Sequence, residues 1–357
     1  MLAPENLSTI QFAVFPVLLL AAAAASLQGR KIPRSFLAFA LCGTVLSFAF
    51  SYCFTAHASQ SVVVSALQGD TLQSQGRIFR QKINSYLVHR GPARAAAYYH
   101  VLPNYSSAAA FLREKGLQLL VWGNSHWLNI SFPITSAHSV EEFGQSYDFS
   151  PLSKLRMITS VPNVGLSYEP RNETSDYVAG LTASLLPGHD PLAPMAPEDL
   201  GRRELLLMDT GNIAGKWTAG AHRALPWWIL GNLYSYQVLR SKQIEPGEIH
   251  CAIDAYYRAR SFLRANDKGN ADLWSAIHNN LAVMTALQGL VLSKPKELRR
   301  ARRLAMEAAR IKHLPNVYHL DPRPGVVARE NVHILKGYIQ KKPHGKKKAK
   351  SAKKHKK

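Results

Sequence analysis

The chain has 357 residues, a net charge of +21 and only three cysteines. So few cysteines exclude a disulfide-rich secreted fold, and the length allows one large domain or two small ones. The segment 341–357 contains ten lysines and no acid, so removing it from +21 leaves +11 for the remainder. A balance this basic favours anionic partners.

Two uncharged apolar stretches open the chain and predict transmembrane helices at about 10–28 and 36–56. Each is close to the length of about 20 residues that a bilayer requires. A short loop between them carries Arg30, Lys31 and Arg34. The pattern predicts a two-helix transmembrane hairpin over residues 1–60 and a membrane-anchored α+β fold.

The basic loop also predicts the orientation of this hairpin, because positively charged flanks stay in the cytoplasm. We therefore expect a multi-pass protein of the inner (plasma) membrane, with the lipid bilayer as a partner and the large domain on the outer or periplasmic side. The alternative for the first stretch is a cleaved signal peptide. Ala23 and Ala25 suit such a cleavage site, but Glu5 replaces the expected basic N-terminus.

A small α/β domain is predicted over residues 77–188. Its expected elements are a helix at 106–115 ending at Gly116, strands at 117–123 and 127–132, a strand at 160–168 and a helix at 174–186. The domain contains no phosphate loop, dinucleotide fingerprint or metal-spaced set of His and Cys. We therefore predict neither a cofactor nor a metal site.

The following segment, 189–224, is predicted to be a Pro-rich linker and a helix. It contains Asp209-Thr210-Gly211 after an apolar run, which resembles the motif of aspartic proteases. That chemistry needs two carboxylates sharing a proton, whereas this chain has one copy, followed by Asn212. A membrane-bound aspartic-type hydrolase at Asp209 is one alternative function. The other interpretation is a capped helix that exposes Asp209 to solvent.

The carboxyl half contains the pattern W-x2-L-G-x2-Y at Trp227, Leu230, Gly231 and Tyr234. This pattern resembles the first helix of a tetratricopeptide repeat, in which the glycine allows close approach of the next helix. The resemblance covers about 225–316. The expected helices contain 227–234 and then span 248–264, 272–292, 295–312 and 325–339. An ordinary helical bundle is the alternative.

A tetratricopeptide-like domain over residues 225–340 implies binding of a protein partner in a groove. The expected contact residues are Trp228 and Tyr236, which lie off the signature positions. The leading hypothesis is therefore a membrane-anchored scaffold or partner-binding protein without catalytic activity.

The tail, 341–357, is too polar to form a core and is predicted to be disordered. Dense lysine attracts anionic lipid or polymer, whereas nucleic acid is disfavoured because it requires a cytoplasmic tail. A membrane tether for such a polymer or for nucleic acid is the third hypothesis, and a tail that only improves solubility is the alternative. The candidate anion-binding residues are Lys346, Lys347, Lys348, Lys350, Lys353 and Lys354.

Overall fold

The computed structural model describes residues 62–341, except 71, 73, 88–94, 125, 133–136, 145–147, 161–162, 168–171, 186–196, 215–219, 242, 265–268 and 311–317. Within these residues the chain forms a mixed sheet, a two-stranded ribbon and nine α-helices. The strands are β1 Val62–Ala66, β2 Ala95–Val101, β3 Leu119–Gly123, β4 Trp127–Ser131, β5 Ala137–Ser139, β6 Arg156–Ile158 and β7 Asn163–Ser167.

The five-stranded sheet has the order β2-β1-β3-β4-β7. Strands β2, β1 and β3 are parallel to one another, while β4 is antiparallel to both β3 and β7. Strands β5 and β6 form a separate antiparallel ribbon. The helices are α1 Ser74–Leu87, α2 Tyr105–Lys115, α3 Asn172–Leu185, α4 Pro197–Ala214, α5 Gly220–Arg240, α6 Pro246–Ser261, α7 Ala271–Val291, α8 Pro295–Ala309 and α9 Pro324–Lys341.

The interior strand β1 lies upstream of residue 77, the predicted start of the α/β domain. Val62, Val63 and Val64 are all buried. Val62 and Val64 face the side of the sheet that carries α1, whereas Val63 packs with residues of α2 on the other side. A central parallel strand is buried on both faces and shows a continuous apolar run without alternation. Such a run at the end of an uncharged stretch is hard to distinguish from membrane sequence.

Strand β4 alternates as its sequence predicts. Leu128 and Ile130 belong to the main core, so successive residues of the strand place Trp127, Asn129 and Ser131 on the opposite face of the sheet. Only α2 covers that second face, and it packs near β3. The polar alternation therefore marks the part of the sheet that no helix covers in the described structure.

Several predicted helices are confirmed. Helix α2 ends at Gly116, whose φ of 60° is left-handed and whose N–H bonds back to the last turn. The five helices expected between 225 and 340 are present as α5 to α9. Each packs against the next along the chain. Gly231 permits the approach of α6, because a Cβ there would lie 2.6 Å from Cε1 of Tyr256.

One hydrophobic core runs from the sheet into these helices, and it includes Val62, Tyr177, Leu225 and Ile277. Helix α1 packs on α3, α3 on α4, and α4 on α5. The helical array α5–α9 is thus continuous with the layer that covers the sheet.

Four buried asparagines attach the array to the ribbon. Asn280 accepts from the N–H of Ile158 and donates to the C=O of the same residue, both at 2.7 Å. Asn331 makes the same pair of bonds with Arg156, at 2.8 and 2.7 Å. These amides pair with alternate residues along β6 and take the place of a neighbouring strand. Asn279 and Asn232 complete what we call the asparagine clamp, by donating to the carbonyls of residues 156 and 159.

The membrane-anchored fold class and the multi-pass inner-membrane location predicted above require correction. Among the described residues, none of the helices combines the length and apolar character that crossing a bilayer requires. The most apolar region, α7, is enclosed by α6, α8 and α9 and carries the buried polar side chains of His278, Asn279 and Asn280. The two predicted spans, 10–28 and 36–56, lie outside the described residues.

Candidate functional site

A cleft of about 680 Å³ opens at the carboxyl ends of the parallel strands. Its walls include Gln68 after β1, the segment 102–106 after β2, and Gly123 and Asn124 at the end of β3. The chain leaves β1 for α1 on one face of the sheet and leaves β2 for α2 on the other face. Ligands of open α/β sheets bind at such a point, where adjacent connections diverge.

A chain of hydrogen bonds runs through the floor of this cleft. Nε1 of Trp122 donates to Oγ of Ser131 at 2.8 Å. That hydroxyl donates to Oδ1 of Asn163 at 2.6 Å. Nδ2 of Asn163 then donates to Oδ1 of Asn129 at 3.0 Å. We call this series the amide relay; all four side chains are at most 6% exposed.

Trp127 presents an exposed aromatic surface to the cleft, with 40% of its area accessible. Its indole lies across Gly165 of β7, where an added Cβ would be 2.8 Å from Cζ2. Nε1 of Trp127 donates to Oδ1 of Asn129 at 3.3 Å. The glycine and the amide together hold this ring beside the relay.

A stacked pair of rings forms another wall. Tyr105, the first residue of α2, and His319 lie with ring centroids 3.7 Å apart and planes 8° from parallel. Burial raises the pKa of Tyr105 and lowers the pKa of His319, so both rings are uncharged at neutral pH. His319 has a φ of 51°, and its neighbours Tyr318 and Leu320 are buried. The helical array therefore contributes a residue in a sparsely populated conformation to the cleft.

Two further amides use their oxygens within the protein. Oδ1 of Asn104 caps α2 by accepting from the N–H and the hydroxyl of Ser107, at 3.0 and 3.2 Å. Oδ1 of Asn124 accepts from the N–H groups of His126 and Trp127, at 2.8 and 2.7 Å. The remaining polar atom of each side chain is an NH2 group. None of the described residues lining the cleft is Asp, Glu, Lys or Arg.

The residues predicted to bind a partner lie elsewhere, inside the helical array. Trp228 is 1% exposed and Tyr236 is 8% exposed. The hydroxyl of Tyr236 donates to the C=O of Thr159 at 2.5 Å. Both side chains belong to the core because α5 is buried along nearly its whole length, so neither presents a surface to a partner. The sequence pattern identified the signature positions as buried. It did not reveal that the other faces of α5 are buried as well.

The Asp-Thr-Gly sequence lies within helix α4, and Asp209 is exposed. Thr210 contacts Gly180 of α3, while Gly211 faces the ring of Trp227, where a Cβ would lie 3.2 Å from Nε1. The threonine and the glycine thus serve helix packing. This arrangement matches the second interpretation of the segment, a helix with a solvated Asp209.

The six candidate anion-binding lysines of the tail, 346–354, lie outside the described residues. Within the described part of the chain, no group of three His, Cys, Asp or Glu side chains is arranged to hold a metal ion. The structure also groups residues that the sequence analysis did not select, namely Trp122, Asn129, Ser131 and Asn163. The alternation of apolar and polar residues at 127–132 indicated that Asn129 and Ser131 lie on the face of β4 opposite the core. No local pattern indicated that Asn163 lies beside them.

A scan against protein-family models found no match. Searches of curated proteins and of solved structures also found no significant match.

Proposed function

We propose that this chain is a binding protein whose cleft takes a small ligand. The observation that carries the proposal is the lining of the cleft, which combines aromatic rings with oriented amides and has no Asp, Glu, Lys or Arg among its described residues. Ligand sites are typically concave, aromatic-rich and supplied with a few fixed polar groups. Its volume of about 680 Å³ lies within the usual range of such sites.

The lining also favours binding over catalysis. Acid–base catalysis needs a titratable group placed at the reacting proton, and nucleophilic catalysis needs a nucleophile with an adjacent base. Among the described lining residues, His319 is the best candidate for a catalytic acid or base, and its ring is stacked on that of Tyr105. We therefore assign the amides and rings to recognition.

The proposal is tested by nuclear magnetic resonance on the full chain with 15N-labelled tryptophan. Phenol, uracil, methyl N-acetylglucosaminide and phenyl phosphate serve as probes, and the indole N–H signals of Trp122 and Trp127 are followed. We expect saturable shifts with at least one probe and loss of that binding in Trp127→Ala. Exposed Trp127 makes this variant structurally mild. If no probe shifts either signal, the cleft is not a small-ligand site.

We propose a second function for the helical array, as a scaffold for an acidic protein partner. Support comes from α8, whose buried side is Leu298, Ala301 and Leu304, while Arg299 and Arg303 on its other side are exposed. The serial packing of α5–α9 also supports the tetratricopeptide resemblance, which stays a prediction.

A photo-crosslinking amino acid in place of Arg303 tests this second proposal in living cells. The matched control carries the same amino acid in place of Arg202, which is exposed on α4. We expect a discrete protein adduct only from position 303, and we expect Arg299→Glu to reduce it. Equal labelling from both positions would argue against a partner surface on α8.

A further inference from the structure

We propose that the cleft binds an oxyanion, a phosphate or carboxylate group carried on a flat apolar body. This inference rests on the proposed binding function and specifies its ligand class. Two independent features point to it: the direction of the amide relay and the position of the N-terminus of α2.

The direction of the relay is fixed by the indoles at its two ends. The indoles of Trp122 and Trp127 can only donate, so Ser131 accepts from the first and Oδ1 of Asn129 accepts from the second. Between them, the hydroxyl of Ser131 donates to Asn163. Asn163 therefore directs Oδ1 to Ser131 and Nδ2 to Asn129. Asn129 must in turn direct Oδ1 toward Asn163, an orientation that the bond from Trp127 reinforces.

The relay therefore ends in a donor. Nδ2 of Asn129 has no hydrogen-bond partner among the described residues, although the side chain is only 6% exposed and lines the cleft. This donor is accessible from the cleft, which Asn129 lines. A ligand that supplies an acceptor oxygen at this point replaces its solvent contact with a fixed hydrogen bond.

The N-terminus of α2 adds donors at the same cleft. Asn104, Tyr105 and Ser106 all line it, and the first N–H groups of a helix have no acceptor within the helix. The Asn104 cap takes the N–H of Ser107, which leaves those of Tyr105 and Ser106. The helix dipole gives this end a partial positive charge. Backbone and side-chain donors therefore line the same cleft, whose described residues include no Lys or Arg.

An oxyanion fits this arrangement better than a neutral sugar. Phosphate and carboxylate oxygens only accept hydrogen bonds, whereas sugar hydroxyls also need acceptors. The oxygens of Asn104, Asn124 and Asn129 are already occupied within the protein. The exposed face of Trp127 and the Tyr105–His319 stack then suit a flat body attached to the anion.

The test uses the full chain and phenyl phosphate as the probe, followed at the Trp127 indole signal in 0.15 M salt. Inorganic phosphate is the competitor, and phenol is the uncharged comparison. We expect saturable binding of phenyl phosphate, displacement by inorganic phosphate, and phenol binding that is weaker by about tenfold or more. Phosphate held by the Lys-rich tail does not produce this local signal.

Two variants remove the anion site with little change to the fold. Asn129→Asp keeps an acceptor for Asn163 and Trp127 but replaces the unused donor with a negative charge. Ser106→Glu adds a negative charge in the first turn of α2, where it stabilises the helix. We expect each to weaken phenyl phosphate binding by about tenfold or more. The controls, Asn212→Asp and Ala110→Glu, introduce the same acidic residues at exposed helical positions outside the cleft and should bind phenyl phosphate normally.

The outcomes separate this inference from the binding function on which it rests. If phenol or uracil binds as tightly as phenyl phosphate, or if both cleft variants bind phenyl phosphate normally, the oxyanion assignment is overturned while the cleft remains a ligand site. If no probe gives a saturable shift, both fail.

Discussion

The asparagine clamp and the amide relay use the same side chain for different purposes. In the clamp, Asn280 and Asn331 each satisfy the backbone N–H and C=O of one residue of β6. In the relay, Asn163 is satisfied at both ends, but Asn129 keeps one donor at the cleft. A closed network contributes stability, whereas a network with one open end is positioned for a ligand. The difference lies in the last atom of each network rather than in composition or burial.

The largest expected effect comes from breaking the clamp. Asn280→Leu keeps the approximate shape but leaves the buried N–H of Ile158 without an acceptor and removes two donated bonds. We expect a loss of about 3 kcal/mol in the free energy of unfolding, measured by urea denaturation. Asn129→Leu should cost less, about 2 kcal/mol, because it leaves one buried donor, Nδ2 of Asn163, without an acceptor, while its other partner, Nε1 of Trp127, is partly solvated.

Exposed Asn212 supplies the control for both variants. Asn212→Leu should change the free energy of unfolding by less than about 0.5 kcal/mol. Equal losses at positions 129 and 280 would contradict the distinction between an open and a closed network.

A second prediction concerns pH and compares a histidine of the array with one of the cleft. Burial lowers the pKa of His222 from 6.5 to about 4. Between these values the unfolded chain binds a proton that the folded chain does not, so stability falls as the pH drops from 6.5 toward 4. The contribution of this one group is up to about 3 kcal/mol.

Urea denaturation between pH 7 and pH 4.5 measures this effect. His222→Gln should make stability less dependent on pH, with buried His278, whose pKa is also lowered to about 4, retaining part of the dependence. His319→Gln should change it less, because His319 is only partly buried. A profile unchanged by His222→Gln would show that the folded chain protonates this histidine as readily as the unfolded chain does.

The smallest expected loss of stability comes from replacing a glycine that packs against an aromatic ring, once in the helical array and once in the cleft. Gly231→Ala forces a methyl group against the fully buried ring of Tyr256, and should cost about 2 kcal/mol. Gly165→Ala meets Trp127, which is 40% exposed and able to move outward, so we expect a loss below about 1 kcal/mol together with weaker probe binding.

Gly247, which has open space around its Cβ position, provides the matched control. Gly247→Ala should leave stability unchanged or raise it by up to about 1 kcal/mol. These values come from denaturation midpoints. A larger loss at position 165 than at position 231 would mean that the cleft wall is as rigid as the array.

Local patterns predicted most elements of the described fold. The spacing of Trp227, Leu230, Gly231 and Tyr234 indicated a helix with a close neighbour, and α5 packs on α6 at that glycine. Helix propensity and the left-handed cap at Gly116 act over a few residues, so they are visible in the chain itself. Strand β2 was not predicted, because its run of three alanines carries little β-propensity.

The candidate site was predictable only in part. Alternation at 127–132 separated Asn129 from the core side of β4, but its partner Asn163 is 34 residues away along the chain. Trp228 and Tyr236 were predicted to contact a partner, but both are buried. Their burial depends on the elements that enclose α5, which the local sequence does not specify.

From the sequence alone one obtains the helices of the array, the polar face of β4 and the basic charge, because each depends on neighbouring residues or on a sum over the chain. Only the tertiary structure decided which asparagines are satisfied at both ends and which keep a donor at the cleft. Asn280 meets Ile158 across 122 residues, and Asn129 meets Asn163 across 34. Hydrogen-bond direction is a property of assembled partners, so no local pattern encodes it.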